Sequence, residues 1–402
     1  MDKFRKGSHM SKVVLIRCES YDSAKVNEAV KKGVALLGGI GKFAKTGEKI
    51  LLKVNLLVGE TPDKCVNTHP SVFRAVGELF KMAGAQVWYG DSPGFGSTLG
   101  AAKKAGLTGP AQEAGLELKE FQQGKEVFFA EGKQNKKFII AKAVLDSDGV
   151  VSLPKLKTHG FEKFTGCIKN QFGCIPGLFK GEFHVKIPDA NNFARMLVDL
   201  DSFVRPRLYI MDGITAMEGN GPRGGSPKQM NVLLFSEDPV ALDATVCRMI
   251  NLDPNLVPTV KYGTESGRGV SAQDAVELAG DAFDQFRADS FDIDRSPLKP
   301  YKPRGVLKFF SNALVAKPVI NKRKCTECGT CIKVCPANPK AVDWVNNDKS
   351  RPPEHRYNLC IRCYCCQELC PEKAIDLKKP LMRRLLGKRN SRRGRIFEAR
   401  PR

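Results

Sequence analysis

The sequence predicts an α/β fold, a mainly parallel sheet with crossover helices, followed by a small C-terminal α+β domain. Three observations carry this. From Val13 to about Gly280, short apolar runs alternate with segments of helical periodicity, as a parallel sheet and its crossovers do. After about Phe291 a basic stretch punctuated by Pro297, Pro300, Pro303 and Pro318 has the composition of a linker or surface strap. Nine of the 14 cysteines then crowd between Cys325 and Cys370, which is metal-ligand density. The expected divisions are 1–9 as an expression tag remnant, marked by its Gly-Ser-His-Met run, and 10–296 as the α/β domain. Residues 297–321 follow as the linker, 322–377 as the small domain and 378–402 as a basic tail.

Taken in order, strands are expected at Val13–Arg17, Ile50–Val54, Gln86–Gly90, Gly149–Leu153, Leu208–Asp212 and Val232–Ser236. Helices are expected over Ser23–Leu37, Ser71–Ala83, Asn192–Val204 and Val240–Ile250. Thr68 is placed to cap the second helix, with Pro70 in its first turn, where a missing N–H costs nothing, and Gly84 just past its end. The fourth opens Glu237-Asp238-Pro239, again an acid before a first-turn proline.

The two halves differ in charge. Of a formal net charge of +22, the stretch Lys378–Arg402 holds eleven Lys and Arg against the single acid Glu398. Such a tail attracts acidic partners, among them an acidic redox protein, nucleic acid or an anionic membrane surface; a merely solvated tail is the plain alternative. Nucleic-acid binding is disfavoured, because no aromatic interleaving or recognised module accompanies the charge. No run reaches the ~18 apolar residues of a membrane span, and no charged-then-apolar leader opens the chain. A cytoplasmic, reducing location is therefore expected, with Cys18, Cys65, Cys167, Cys174 and Cys247 as buried free thiols.

The crowded cysteines are regular. C-x2-C-x2-C-x3-C-P runs from Cys325 to Pro336 and again from Cys360 to Pro371, followed by Ala341-Val342 and Ala374-Ile375, as in a duplicated unit. Structural zinc usually takes two short pairs split by a longer loop, whereas three thiolates within seven residues wrap one corner of an iron–sulfur cube. From about Lys322 to Leu377 the text resembles two-cluster bacterial ferredoxins, so the small domain is expected to be ferredoxin-like, with two 4Fe-4S clusters. In such runs the fourth cysteine serves the other cluster. That rule gives Cys325, Cys328, Cys331 and Cys370 to one, and Cys360, Cys363, Cys366 and Cys335 to the other. Cys365 falls outside the spacing and is expected to be a spare thiol.

In the large domain, short polar constellations stand at expected strand ends, where open α/β sheets bind ligands. They are Lys53-Val54-Asn55, Thr68-His69-Pro70, Gly90-Asp91-Ser92-Pro93-Gly94, Leu153-Pro154-Lys155-Leu156-Lys157-Thr158-His159, Thr165-Gly166-Cys167-Ile168-Lys169-Asn170, Phe172-Gly173, Pro176-Gly177 and Met217-Glu218-Gly219-Asn220-Gly221-Pro222. In this combination they resemble the domain of unknown function family 362, often fused to a ferredoxin module, over about Val13 to Gly280. The resemblance implies architecture more than activity. Read by themselves, Lys155, Lys157 and His159 beyond a buried-looking strand, with Lys169 and Asn170 close behind, suit a phosphate or carboxylate site; a solvated basic loop is the bland reading. Lys53 and Asn55 join this set as binding candidates. Asp91 suits either a substrate hydroxyl or an Asx turn. Asp212 and Glu218 suit a cation, an acid/base pair or a turn. Neither a dinucleotide fingerprint of correct spacing nor a phosphate loop of the G-x-x-x-x-G-K-[ST] type occurs.

The expected function is an iron–sulfur oxidoreductase. Electrons of low potential would pass from the clusters to an anionic small molecule, substrate or cofactor, held by Lys53, Asn55, Asp91, Lys155, Lys169 and Asn170, with Lys157 and His159 catalytic and His159 as proton donor. The alternative is a non-catalytic carrier or adaptor whose large domain only docks partners.

Overall fold

A computed structural model describes residues 10–297 and 315–378. The stretch 1–9, most of the expected linker and the basic tail from 379 onward lie outside the described residues. The chain divides into two compact units, Met1–Phe183 with Asn191–Arg295, and His184–Ala190 with Ser296–Arg402.

In the first unit all six expected apolar runs form strands, and among the described residues six more strands that the sequence did not announce join them, one being the Lys155–His159 segment expected to lie beyond a strand end. Together they are β1 (Ser11–Arg17), β2 (Lys49–Val54), β3 (Gln86–Gly90), β4 (Glu117–Leu118), β5 (Gly124–Phe128), β6 (Lys137–Ala141), β7 (Gly149–Leu153), β8 (Lys155–His159), β9 (Lys163–Thr165), β10 (Leu208–Glu218), β11 (Ser226–Ser236) and β12 (Val276–Gly280). The main sheet has the order β12-β1-β11-β10-β7-β2-β3-β4, with β8 and β9 branching from β10 and β5 with β6 forming a separate hairpin. From β10 through β7, β2 and β3 to β4 every pairing is parallel. Only β11 runs against both its sheet neighbours, because residues 219–225 are too few for a crossover and can only turn the chain back. Both arms of that hairpin are longer than the apolar runs Leu208–Asp212 and Val232–Ser236, since their outer parts carry polar text such as Ser226-Pro227-Lys228-Gln229.

Helices Ser23–Leu36 and Pro70–Met82 cover one sheet face, burying Val26, Val30 and Val34, and Val72, Phe73, Val76 and Phe80. These meet Val14, Ile16, Ile50, Leu52, Val151 and Phe235 from the strands. Each such side chain is worth roughly 1.5–3 kcal/mol when withdrawn from water. The second helix is capped by His69 and not by Thr68. The His69 ring accepts the Ser71 N–H at 3.2 Å, while the Thr68 hydroxyl is committed inside, donating to Leu153 O at 2.6 Å and accepting from Asn55 N at 2.8 Å. Asp238 caps the helix Pro239–Met249, accepting from Val240 and Ala241 N–H at 2.8 and 3.0 Å.

The second unit pairs β13 (Lys317–Ile320) with β16 (Ile375–Lys378) and β14 (Val342–Asp343) with β15 (Glu354–His355), both antiparallel. One-turn helices Thr330–Lys333 and Cys365–Glu368 stand at equivalent points of the two cysteine runs. The runs share a backbone trace. The residues on either side of the second cysteine are left-handed in both, Glu327 and Gly329 in the first, Arg362 and Tyr364 in the second. Among the described residues no helix is long and apolar enough to cross a membrane.

Candidate functional site

Strands β7, β2 and β3 lie side by side and parallel, so their carboxyl ends open on one edge of the sheet. The chain leaves β2 on one side for β3 and later returns on the other as β7, and connections that diverge in this way leave a crevice at the strand ends. Polar side chains from each strand end fill its floor.

Lys53, at the end of β2, is fully buried and pairs with Asp91, just past β3, at 3.0 Å. It also donates to Val54 O at 2.8 Å. The Asp91 carboxylate is engaged on both oxygens, accepting the N–H groups of Leu56 and Ser92 at 2.7 Å each. Its oxygens are thus taken up by the scaffold and not held ready for a substrate hydroxyl; the bond to Ser92 reaches only the next residue and is not the Asx turn, which would bond two residues on. Gly173 packs onto this pair, and a Cβ there would lie 1.8 Å from Asp91 Oδ1 and 2.7 Å from Lys53 Nζ. Gly173→Ala is therefore expected to cost about 1–3 kcal/mol by overpacking and to lower the melting temperature of this unit by roughly 3–10 °C. Thermal denaturation of the two proteins checks this, and equal melting temperatures would show that the pair can shift freely.

A chain of amides runs from this pair to the cavity. Asn170 Nδ2 donates to Lys53 O at 3.2 Å and to Ser152 Oγ at 3.0 Å. A backbone carbonyl only accepts, so the orientation of Asn170 is settled. Its Oδ1 faces Asn55 Nδ2 at 2.9 Å, which leaves Asn55 Oδ1 as the free end. That oxygen, like the hydroxyl of Thr165, is buried without a hydrogen-bond partner among the described residues.

The cavity here measures about 70 Å³ and is lined by Asn55, Asp91, Lys157, His159, Thr165, Lys169, Asn170, Lys180 and neighbours. Six of the eight sequence candidates thus meet at one place. Lys157 is buried and donates to Val66 O at 2.5 Å, using one of its three protons. His159 Nδ1 accepts the N–H groups of Phe161 and Glu162 at 3.0 and 3.2 Å, so the ring's own proton sits on Nε2. Protonating Nδ1 would break both bonds, and this corrects the role expected of His159: the backbone holds it as a hydrogen-bonding group and not as an acid that cycles its proton. Lys169 lies 5.8 Å from the Phe172 ring centre.

Lys180 was not legible as a site residue. It sits on the helix Gly177–Lys186 and donates to the carbonyls of Ser92 and Pro93. Burial pushes its ammonium down to about 8; Asp91 opposes this, and Lys53 and Lys169 add to the push. The only hint was Pro176-Gly177 at the start of its helix.

Lys53 and Lys155 do not line the cavity. Lys155 is buried against Asp212, its direct partner across β8 and β10, at 2.7 Å. Tyr21 joins them, its hydroxyl 2.8 Å from Lys155 Nζ and 2.9 Å from Asp212 Oδ1, and His69 stacks on Tyr21 with ring centres 3.5 Å apart. Burial works to lower the Lys155 ammonium, yet Asp212 and Tyr21 hold it above its ordinary value; burial takes His69 down to about 4. Lys155 is therefore a partner for Asp212, which departs from the binding role expected of it. Asp212 and Glu218 are no acid/base pair either. They lie six residues apart on the continuous strand β10, about 20 Å, and Glu218 accepts the Asp292 N–H at 2.9 Å.

In the second unit Cys325, Cys328, Cys331 and Cys370 line one small cavity together. Burial raises the Cys366 thiol, and Cys363, Cys360, Cys331 and Cys335 raise it further, so these sulfurs also stand close. Burial pushes the Cys331 thiol up, with Cys370 and Cys325 adding to it, so these sulfurs too lie within electrostatic reach of one another. The N–H groups of Ala341 and Ala374 point at the fourth cysteines of the two runs, 3.4 Å from Cys335 Sγ and 3.3 Å from Cys370 Sγ. This donor set fits 4Fe-4S clusters. Cys18, Cys65, Cys167, Cys174 and Cys247 are all buried in the other unit.

Comparison with known proteins follows the same division. The family described as a domain of unknown function (DUF362) matches residues 50–248, and a 4Fe-4S dicluster domain matches residues 317–378. A thylakoid-associated protein of Synechocystis is 38% identical over 249 residues, 62% of this chain and 77% of that one. Pyruvate synthase subunit PorD of Methanothermobacter marburgensis is 35% identical over 63 residues, 16% of this chain and 67% of its own length. Among solved structures, the lactate racemase apoprotein of Thermoanaerobacterium thermosaccharolyticum aligns with a TM-score of 0.39 at 13% identity, covering 62% of this chain and 59% of that one. That likeness is too loose to bear on activity.

Proposed function

The chain belongs to the DUF362 family, here fused to a ferredoxin-type 4Fe-4S module, and from that premise we propose an iron–sulfur oxidoreductase that passes low-potential electrons from two 4Fe-4S clusters to an anionic substrate or cofactor bound in the α/β unit. Each cluster, when bound, takes up and gives back one electron, so two supply a pair. Cys325, Cys328, Cys331 and Cys370 are proposed to hold one, and Cys360, Cys363, Cys366 and Cys335 the other.

The observation that carries the reading is the gathering of Lys157, Lys169 and Lys180 with His159 and two amides around one cavity at the strand ends. A domain that only docks partners has no need of such convergence. In this reading the lysines supply charge, Asn55 and Asn170 orientation, and the Lys53–Asp91 pair a rigid floor. An acidic redox partner for the basic tail and a cytoplasmic location belong to the same proposal.

Anaerobically purified protein is expected to hold about eight irons and eight sulfides per chain and to release a small anion detectable by mass spectrometry. In Lys157→Ala retention of that anion should fall about tenfold or more, as for loss of a charged hydrogen bond, with iron unchanged. In His159→Asn the side-chain oxygen can still accept the two backbone N–H groups, so the turn survives while the ring's Nε2 is lost. Wild-type protein that releases no anion would favour the carrier.

A further inference from the structure

We propose that the ligand of this cavity is an oxyanion bearing its own O–H group, read by Asn55 Oδ1 and Thr165 Oγ1; the inference rests on the anion-site reading above and narrows it. Cations around a cavity select for negative charge but say nothing about where the ligand's protons are. The amide chain does. Because Lys53 O fixes Asn170, and Asn170 fixes Asn55, the free end of Asn55 is an oxygen and cannot rotate into a donor. Asn55 is 7% exposed and Thr165 4%; both line the cavity, and neither oxygen has a partner among the described residues.

A buried acceptor left unpaired costs about 1–3 kcal/mol, so a ligand is favoured if it supplies the missing donor. A fully deprotonated oxyanion supplies none. It would also set its own oxygens against Asn55 Oδ1, and sites built to hydrogen-bond an O–H strongly reject analogues that lack it. A hydroxyl can accept as well as donate, so Thr165 Oγ1 stands beside Asn55 Oδ1 as a second acceptor for the ligand's O–H. At neutral pH inorganic phosphate carries at least one P–O–H, whereas sulfate has comparable size and charge and none. The pair isolates the proton.

The test is isothermal titration calorimetry on the full, cluster-loaded chain with inorganic phosphate and with sulfate at matched ionic strength. Phosphate is expected to bind at least about tenfold more tightly. Thr165→Val removes the hydroxyl with almost no change of shape and breaks no hydrogen bond of the fold, so it should cut the preference several-fold. Equal binding of the two anions, or a phosphate preference untouched by Thr165→Val, would overturn this inference and leave the anion site standing. Binding of neither would overturn both.

Discussion

Cys363→Ser is expected to remove about half of the iron and acid-labile sulfide, whereas Cys365→Ser leaves both at the wild-type level. The two thiols are two residues apart in one turn, and both are buried. Spacing separates them, because Cys363 repeats the place of Cys328 in the first run and Cys365 repeats nothing. The fold agrees, since the left-handed residues Arg362 and Tyr364 flank Cys363 as Glu327 and Gly329 flank Cys328. Cys365 reaches Cys363 as a hydrogen-bonding neighbour that lowers its thiol pKa. Iron and sulfide analysis, with the electron paramagnetic signal of the reduced protein, gives the readout. Equal losses in the two variants would mean that the ligand set had been assigned wrongly.

The largest effect on stability is expected at Lys155. Both members of the Lys155–Asp212 pair are buried, with side-chain exposures of 1% and 0%. Lys155→Met leaves the Asp212 carboxylate with only the Tyr21 hydroxyl and the His69 and Ile214 N–H groups. Removing one partner of a buried pair typically costs about 3–5 kcal/mol, while replacing both by apolar groups is often neutral. The single variant should therefore melt roughly 10 °C lower, and Lys155→Met with Asp212→Leu should recover much of the loss. Folded Lys155→Met should retain its anion. A variant with normal melting that had lost the ligand would return Lys155 to the binding set.

These two cases show what the sequence could tell. Apolar runs announced β2, β3, β7 and the start of β10 but not the two-residue β4, and the Asp238-Pro239 step announced its helix, because these signals are local. The cysteine repeat announced the iron–sulfur module for the same reason. Lys155 and Lys157 could not be told apart. They alternate along one strand and differ only in what faces them, Asp212 across β10 for the one and Val66 O for the other. Thr68 looked like a cap for want of any sign that Leu153 O would claim its hydroxyl. Lys180 reaches the cavity from a helix that follows no strand end. Thr165 stood in a quoted constellation, but its unpartnered hydroxyl emerges only from packing.

The pairing of β1 bears on how the chain can be made. Val13 lies opposite Ser236 in β11 and Leu278 in β12, so β1, once made, waits for more than two hundred residues before either neighbour exists. Strands β2, β3 and β7, whose ends open on the cavity, pair with one another and can register while β1 is still an unpaired apolar segment. Loop closure over that span is slow, and an unpaired strand invites pairing with other chains. Rapid synthesis at high concentration should thus lose this protein to aggregation through its N-terminal strand, with slower translation or holdase chaperones raising the soluble yield.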